Sequence, residues 1–298
     1  MDLSTQPGAT DHPHAGLAQR ARLLALSTHP GPCAAVTTLA AVLGFGVGLP
    51  GTTVVVVTLA VLVGQLSIGL SNDWIDAERD AAVGRTDKPV AQGLVPRRLV
   101  RGAALITAAL TVVASLALGV EAAAAHLVLV GSGWLYNAAF KRTPVSMLPF
   151  MLSFGLLPAV VTLALPTPQW PAWWALAVGA IFGISIHFTN VLPDLDDDAR
   201  TGIAGLPHRL GRVRSGVVAF GALALAAVLL LVGPVLTGGG GVSVLAVVGL
   251  VASVAIAATG VVLVLTRPPG RLLFRLVIVA SLLIAAQLVL SGTELVAG

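Results

Sequence analysis

The chain of 298 residues contains one cysteine, Cys33, and one tyrosine, Tyr136, and aromatic residues make up only 5% of it. A lone thiol excludes a disulfide framework and a thiolate metal site, so redox chemistry has no support. Charge is almost as scarce: Asp, Glu, Lys and Arg together reach 10%, against 56% apolar residues, and the mean hydropathy is +0.95. Soluble domains carry about 25% charged residues. The shortage therefore excludes an ordinary soluble enzyme and indicates an all-α integral membrane protein.

The few charges are unevenly spread. Windows free of Asp, Glu, Lys and Arg cover 23 to 72, 102 to 120, 122 to 140, 143 to 193, 215 to 266 and 276 to 293. A spanning helix needs about 20 apolar residues, so the three long windows hold two spans each and the others one each, predicting nine transmembrane helices. Turn residues fall where the long windows must fold: Leu49-Pro50-Gly51, Pro166-Thr167-Pro168 and Gly238 to Gly241. With nine spans, all seventeen Lys and Arg residues fall on one side, and only Glu121 and Glu294 lie on the other. This positive-inside pattern places the N-terminus and the basic loops in the cytoplasm and the C-terminus outside. The pI of 10.2 thus reports topology, and no nucleic-acid partner is needed to explain it. Residues 1–19 read as a disordered cytoplasmic tail, and 20–298 as one membrane domain. His12, His14 and His29 are too loosely spaced to act together as ligands.

Against this apolar background one pattern occurs twice. Asn72, Asp76, Asp80 and Gly84 repeat as Asn190, Asp194, Asp198 and Gly202, each copy following an apolar window. Residues four apart share one helix face, so each copy is predicted to present an Asn and two Asp as one stripe. Two such stripes facing each other at a membrane surface repel unless a counter-charge intervenes. Oxygen ligands without Cys or spaced His suit Mg²⁺, which takes one or two carboxylates and completes its shell with water and phosphate oxygens. The ligand expected with it is a diphosphate. Glu78 and Asp196 are out of register and read as solvated.

Cations lie beside both stripes: Arg79, Arg85 and Lys88 after the first, Arg200 and Arg209 after the second, and Lys141 with Arg142 on the same side. Both lysines of the chain are among them, each a candidate either for phosphate contact or for the positive-inside bias. Tyr136 sits five residues before Lys141 and offers a ring face to a cation. Phe154, Phe182 and Phe188 are candidates for an apolar substrate tunnel or for plain packing. His187 lies three residues before Asn190, inside an apolar window, and is a candidate acceptor contact or a helix-to-helix hydrogen bond. Trp170, Trp173 and Trp174 read as an interfacial belt.

The paired motifs resemble those of the UbiA superfamily of intramembrane prenyltransferases: Asn72-Asp73-x-x-Asp76-x-x-x-Asp80 and Asp194-x-x-x-Asp198, together with GRTDKPVAQG (84 to 93) and YNAAFKRTP (136 to 144). The resemblance implies nine helices around a central cavity, a polyprenyl diphosphate substrate and Mg²⁺ held by Asn72, Asp76, Asp80, Asp194 and Asp198, with Asp73, Asn190 and Asp197 as secondary ligands. It makes Asp76, Asp194, Tyr136 and Lys141 the catalytic set. Arg79, Arg85, Lys88, Lys141, Arg142 and Arg200 would bind diphosphate, and His187 and Phe154 would line the prenyl or acceptor pocket. The reaction implied is prenyl transfer to a lipophilic acceptor such as an aromatic or quinone precursor. Cyclisation of the prenyl chain without an acceptor is the alternative. A cation-coupled transporter would also show a repeat, but its carboxylates belong near the bilayer midplane rather than at one face.

Overall fold

In the computed structural model, residues 16–195, 198, 202–238, 242–266 and 271–296 are described, Asp194 by its backbone alone. The tail up to residue 15, Asp196, Asp197 and Arg200 lie outside them. Ten α-helices account for most of the described chain: α1 (Leu17–Leu26), α2 (Pro30–Gly46), α3 (Gly51–Ala82), α4 (Arg97–Leu116), α5 (Val120–Ala138), α6 (Leu148–Thr162), α7 (Trp173–Val191), α8 (Leu206–Leu236), α9 (Val244–Thr266) and α10 (Arg271–Leu290). Successive helices from α2 to α10 pack as neighbours, and α10 returns to pack against α2, closing a ring. The predicted folds of the long windows fall between α2 and α3, α6 and α7, and α8 and α9.

Five helices are long and apolar enough to cross a bilayer: α3, α4, α7, α8 and α9. The predicted count of nine is not reached on this criterion. The apolar helices α2 and α6, at 17 and 15 residues, fall short in length, because Pro30 begins the one and the 143 to 193 window spends many residues on turns before α6 and α7. The start of the first apolar window forms the separate short helix α1, with Arg20 and Arg22 exposed and Leu23 and Leu24 packed towards Leu70 and Ala77. Apolar side chains stay exposed on the outer faces of α4 and α9, including Ile106, Val113 and Val251 at more than three-fifths exposure. In water such a surface would be a liability; in a bilayer it is the lipid contact. Of the three tryptophans read as a belt, Trp170 and Trp173 are exposed. Trp174 is fully buried against Gly233 and belongs to the core.

The length of α3 positions the site. Its 32 residues at about 1.5 Å each exceed a hydrocarbon core of about 30 Å, so the last turns, from about Asn72, project beyond it. The first motif occupies that extension and ends at Gly84, whose φ of +69° supports a left-handed cap with Arg85 N–H donating to the Asp80 carbonyl at 3.0 Å. Gly202 repeats this with φ of +76° and an Ile203 N–H bond to the Asp198 carbonyl at 3.1 Å. At Gly84 the glycine of the repeat is therefore a helix stop, and at Gly202 it takes the same left-handed conformation. Gly84→Ala is expected to lower stability by about 1 kcal/mol, read as a drop in thermal midpoint, with Gly84→Asn costing less.

The second copy differs from the prediction of a single stripe. α7 ends at Val191 and a 3₁₀ turn follows at Leu192–Asp194. Pro193 supplies the reason: it has no N–H to donate, and its ring clashes with the carbonyl four residues back. Asn190 and Asp198 thus stand on separate segments, whereas Asn72, Asp76 and Asp80 share one helix.

Candidate active site

A cavity of about 430 Å³ opens between α2, α3, α5, α6 and α7. Of the predicted residues, Asn72, Asp76, Arg79, Arg85, Lys88, Tyr136, Lys141, Phe154, Asn190 and Asp198 all line it. The two motifs, more than 100 residues apart in the chain, therefore meet across one space. Arg142 is exposed, and Arg200, Asp197 and the Asp194 side chain lie outside the described residues.

Asp76 is the most connected carboxylate. It is 2% exposed, forms an ion pair with Lys141, accepts from Arg79 Nη2 at 3.0 Å, and accepts from Asn72 Nδ2 at 3.3 Å. Asp73 and Asp80, equally buried, sit beside Lys88, whose Nζ lies 3.2 Å from Asp73 Oδ1 and 2.9 Å from Asp80 Oδ2. Lys88 also donates to Asn72 Oδ1 at 3.0 Å. Arg79 Nη2 bridges Asp76 and Asp80, while its buried Nη1 has no partner among the described residues. Glu78, 82% exposed, pairs with Arg97 in solvent, as its register predicts.

The two lysines respond oppositely to this setting. Burial depresses the Lys88 ammonium, yet the carboxylates of Asp73 and Asp80 outweigh it and hold its pKa above the ordinary lysine value. Burial of Lys141 dominates instead, and with the nearby Arg79 and Lys88 charges it leaves the pKa below that value despite Asp76. At the rim, hydrogen bonding to Arg85 draws Asp87 down to about 2. Local backbone explains why Lys141 points inward and Arg142 outward. α5 stops at Ala138, and the 3₁₀ turn Phe140–Arg142 leads into Thr143, held extended before Pro144.

Three residues of the site carry no motif signal on their own. Asn137 donates through Nδ2 to the Ile68 carbonyl at 3.0 Å and to Ser71 Oγ at 2.8 Å, and accepts from Asn72 at 3.2 Å, so it orients Asn72. Its adjacency to Tyr136 was the available clue. His29, too loosely spaced from His12 and His14 to be read as a ligand, hydrogen-bonds Asp73 Oδ1 through Nε2 at 2.9 Å and lines the cavity. It is the one described non-glycine residue with positive φ, at 56°. Backbone strain of this kind persists where the surroundings hold it in place. Here Gly69 does so: a Cβ there would lie 2.1 Å from the Thr28 carbonyl oxygen. Ser146 hydrogen-bonds His187 Nε2 at 2.9 Å and accepts from Leu206 N–H at 2.9 Å, tying α6, α7 and α8 together.

His187 is buried rather than facing the polar mouth, its ring centroid 5.6 Å from Tyr136 and 4.9 Å from Phe150. Tyr136 and Phe150 meet edge to face at 4.8 Å. Phe188 is fully buried beside His187, and Phe154 meets Phe182 at 5.4 Å.

The donor set is oxygen-rich, as Mg²⁺ requires, with Asn72 and Asp76 on one wall and Asn190 and Asp198 on the other. Among the described residues no group of three His, Cys, Asp or Glu is close enough to hold a metal, because the first motif supplies only its half and much of the second lies outside them. The unpartnered Nη1 of Arg79 fits an anion, since a buried guanidinium nitrogen without an acceptor is costly.

Residues 33–279 match the model of the UbiA prenyltransferase family. Over 181 residues the chain is 29% identical to digeranylgeranylglyceryl phosphate synthase of Pyrococcus abyssi, covering 56% of this chain and 61% of that protein. The chain thus spans about three-fifths of the curated relative it matches. Its fold is that of a UbiA homologue from Archaeoglobus fulgidus bound to GPP and Mg²⁺, with a TM-score of 0.69 and 16% identity over 90% of this chain and 99% of the other. An apo UbiA homologue from Aeropyrum pernix K1 is similar, with a TM-score of 0.66 and 16% identity over 91% of this chain and 98% of its own.

Proposed function

The chain belongs to the UbiA prenyltransferase family, and from that premise we propose that it is a Mg²⁺-dependent intramembrane enzyme transferring a prenyl group from a prenyl diphosphate to a lipophilic acceptor. The observation that carries this reading is the asymmetry of the cavity. Buried Asp76, Lys88, Lys141 and the unpartnered Arg79 nitrogen gather at its mouth, and mostly apolar side chains, with Gln65 and Ser153 among them, line its depth. A diphosphate headgroup with a hydrocarbon tail has the same division.

In this reading Asn72, Asp76, Asn190 and Asp198, with Asp80 and Asp194, would hold the metal, and Asp73 keeps Lys88 and His29 in place. Bound Mg²⁺ would supply neutralisation of the departing diphosphate. Arg79, Lys88 and Lys141 supply further positive charge to the same oxygens, which lowers the barrier to breaking the bond between the prenyl carbon and oxygen. Tyr136 and Phe150 present ring faces to the allylic carbon as it becomes positive. The apolar walls keep water from it.

The proposal takes α2, α5, α6 and α10 to complete nine spans beside the five helices long enough by themselves, and with nine spans the positive-inside pattern puts the site face in the cytoplasm. In a Cys33→Ser background, Arg142→Cys should react with a membrane-impermeant thiol reagent from the cytoplasmic side alone. Labelling only from the other side would reverse the orientation.

The functional test uses the purified full chain with Mg²⁺ and prenyl diphosphates, with aromatic, quinone-precursor and geranylgeranylglyceryl phosphate acceptors, and products read by mass spectrometry. A prenylated acceptor is the expected product. Cyclic hydrocarbons formed without acceptor would make the protein a cyclase, and no consumption of any prenyl diphosphate would overturn the proposal.

A further inference from the structure

Beneath the main cavity lies a second, smaller pocket of about 20 Å³ between α2, α6, α7 and α10. Every side chain on its wall is apolar, so it offers water no partners. Phe154 and Leu157 line both spaces. The other walls also continue from one to the other at helical spacing. On α2, Val36 of the upper cavity is followed by Leu39 and Leu43 of the lower. On α7, Ile186 is followed by Phe182 and Gly179. Neighbours three or four apart share a helix face, so the two spaces lie on one line leading away from the carboxylates.

Phe154 and Leu157 stand between them, and of the two Phe154 carries the larger side chain. Phe154 lies one helical turn, about 6 Å, deeper than Phe150 along α6, and its ring meets that of Phe182 edge to face at 5.4 Å. The backbone beneath it is held from α7: a Cβ at Gly179 would lie 2.3 Å from the Phe154 carbonyl oxygen, so these helices touch directly. The depth of the floor therefore depends on the size of the side chain at 154.

We propose that Phe154 sets the length of prenyl chain the cavity accepts, and that the pocket below it is the closed continuation of the same channel. This rests on the prenyltransferase reading above. Removing the ring would join the two spaces and admit another isoprenyl unit, whose buried methylene groups each favour binding by about fourfold.

The test compares dimethylallyl, geranyl, farnesyl and geranylgeranyl diphosphates in diphosphate release by the purified full chain with Mg²⁺ and the acceptors of the functional test. Binding of the unreactive thiolodiphosphates is measured in parallel. In Phe154→Ala the preferred chain is expected to lengthen by one unit, with kcat/KM for the longer over the shorter substrate rising about tenfold or more. Phe154→Leu should give a smaller shift in the same direction, and it provides the measurement if the alanine variant does not fold. Adding Ala285→Phe, which refills the lower pocket, should reverse the change. An unaltered length profile in folded Phe154→Leu and Phe154→Ala overturns the inference. A wild-type chain that consumes none of the four substrates overturns the functional reading instead.

Discussion

Asp76→Ala is expected to reduce Mg²⁺-dependent consumption of prenyl diphosphate by about a thousandfold or more, since on the proposed reading it removes a metal ligand, and it removes the anchor of two cations at once. Asp76 is the point where Asn72, Arg79 and Lys141 converge, so its loss also frees the geometry of all three. Stability should fall as well. Lys141 is only 5% exposed, and a buried charge left without its partner costs about 3–5 kcal/mol. Burial already holds its pKa below the ordinary lysine value, so part of that cost is escaped by shedding the proton. The two effects separate in Asp76→Ala combined with Lys141→Met: the thermal midpoint should recover, and turnover should not. A single variant that keeps turnover within tenfold of wild type would remove Asp76 from the centre of the reaction.

Lys88→Met is the second large effect. It leaves Asp73 and Asp80, each 2% exposed, without their shared counter-charge, although His29 and Arg79 remain on them. A loss of about 3 kcal/mol is expected, together with a loss of diphosphate affinity. Because the folded pKa of Lys88 is raised, its contribution is fully present below the unfolded value near 10.5 and disappears as pH rises through the folded one. Wild type and variant should therefore differ most near neutral pH and converge in strong alkali, as thermal melts across that range would record. Lys88→Arg should keep most of the stability but not the full activity, because a planar guanidinium does not reproduce one ammonium shared by Asn72, Asp73 and Asp80. A pH-independent gap between wild type and Lys88→Met would show that packing, rather than charge, is what Lys88 contributes.

Much of the site was legible from local chemistry. The Asn72, Asp76 and Asp80 stripe follows from helical spacing, and Glu78 drops out of it by the same spacing. The partner motif was legible as a repeat but not as a shape, because Pro193 ends the helix that would have aligned it. His29 was dismissed because nothing near it in sequence shares its chemistry. Its partner, Asp73, lies 44 positions away, and a glycine at 69 brings the two together. Trp174 was grouped with its exposed neighbours because a run of tryptophans says nothing about which one turns inward.

By itself the sequence determined the membrane class, the doubled acidic motif and the basic residues beside each copy. Those depend on composition and on spacings within a single helix, which the backbone's periodicity dictates directly. Only the tertiary structure decided that Lys88 and Lys141 enter the site while Arg142 does not, that Asn137 and His29 hold the carboxylate wall, and that Phe154 closes the cavity floor. These outcomes rest on where each helix ends and on how α2, α3, α5, α6 and α7 close around one space, and contacts between helices far apart in the chain leave no period in it.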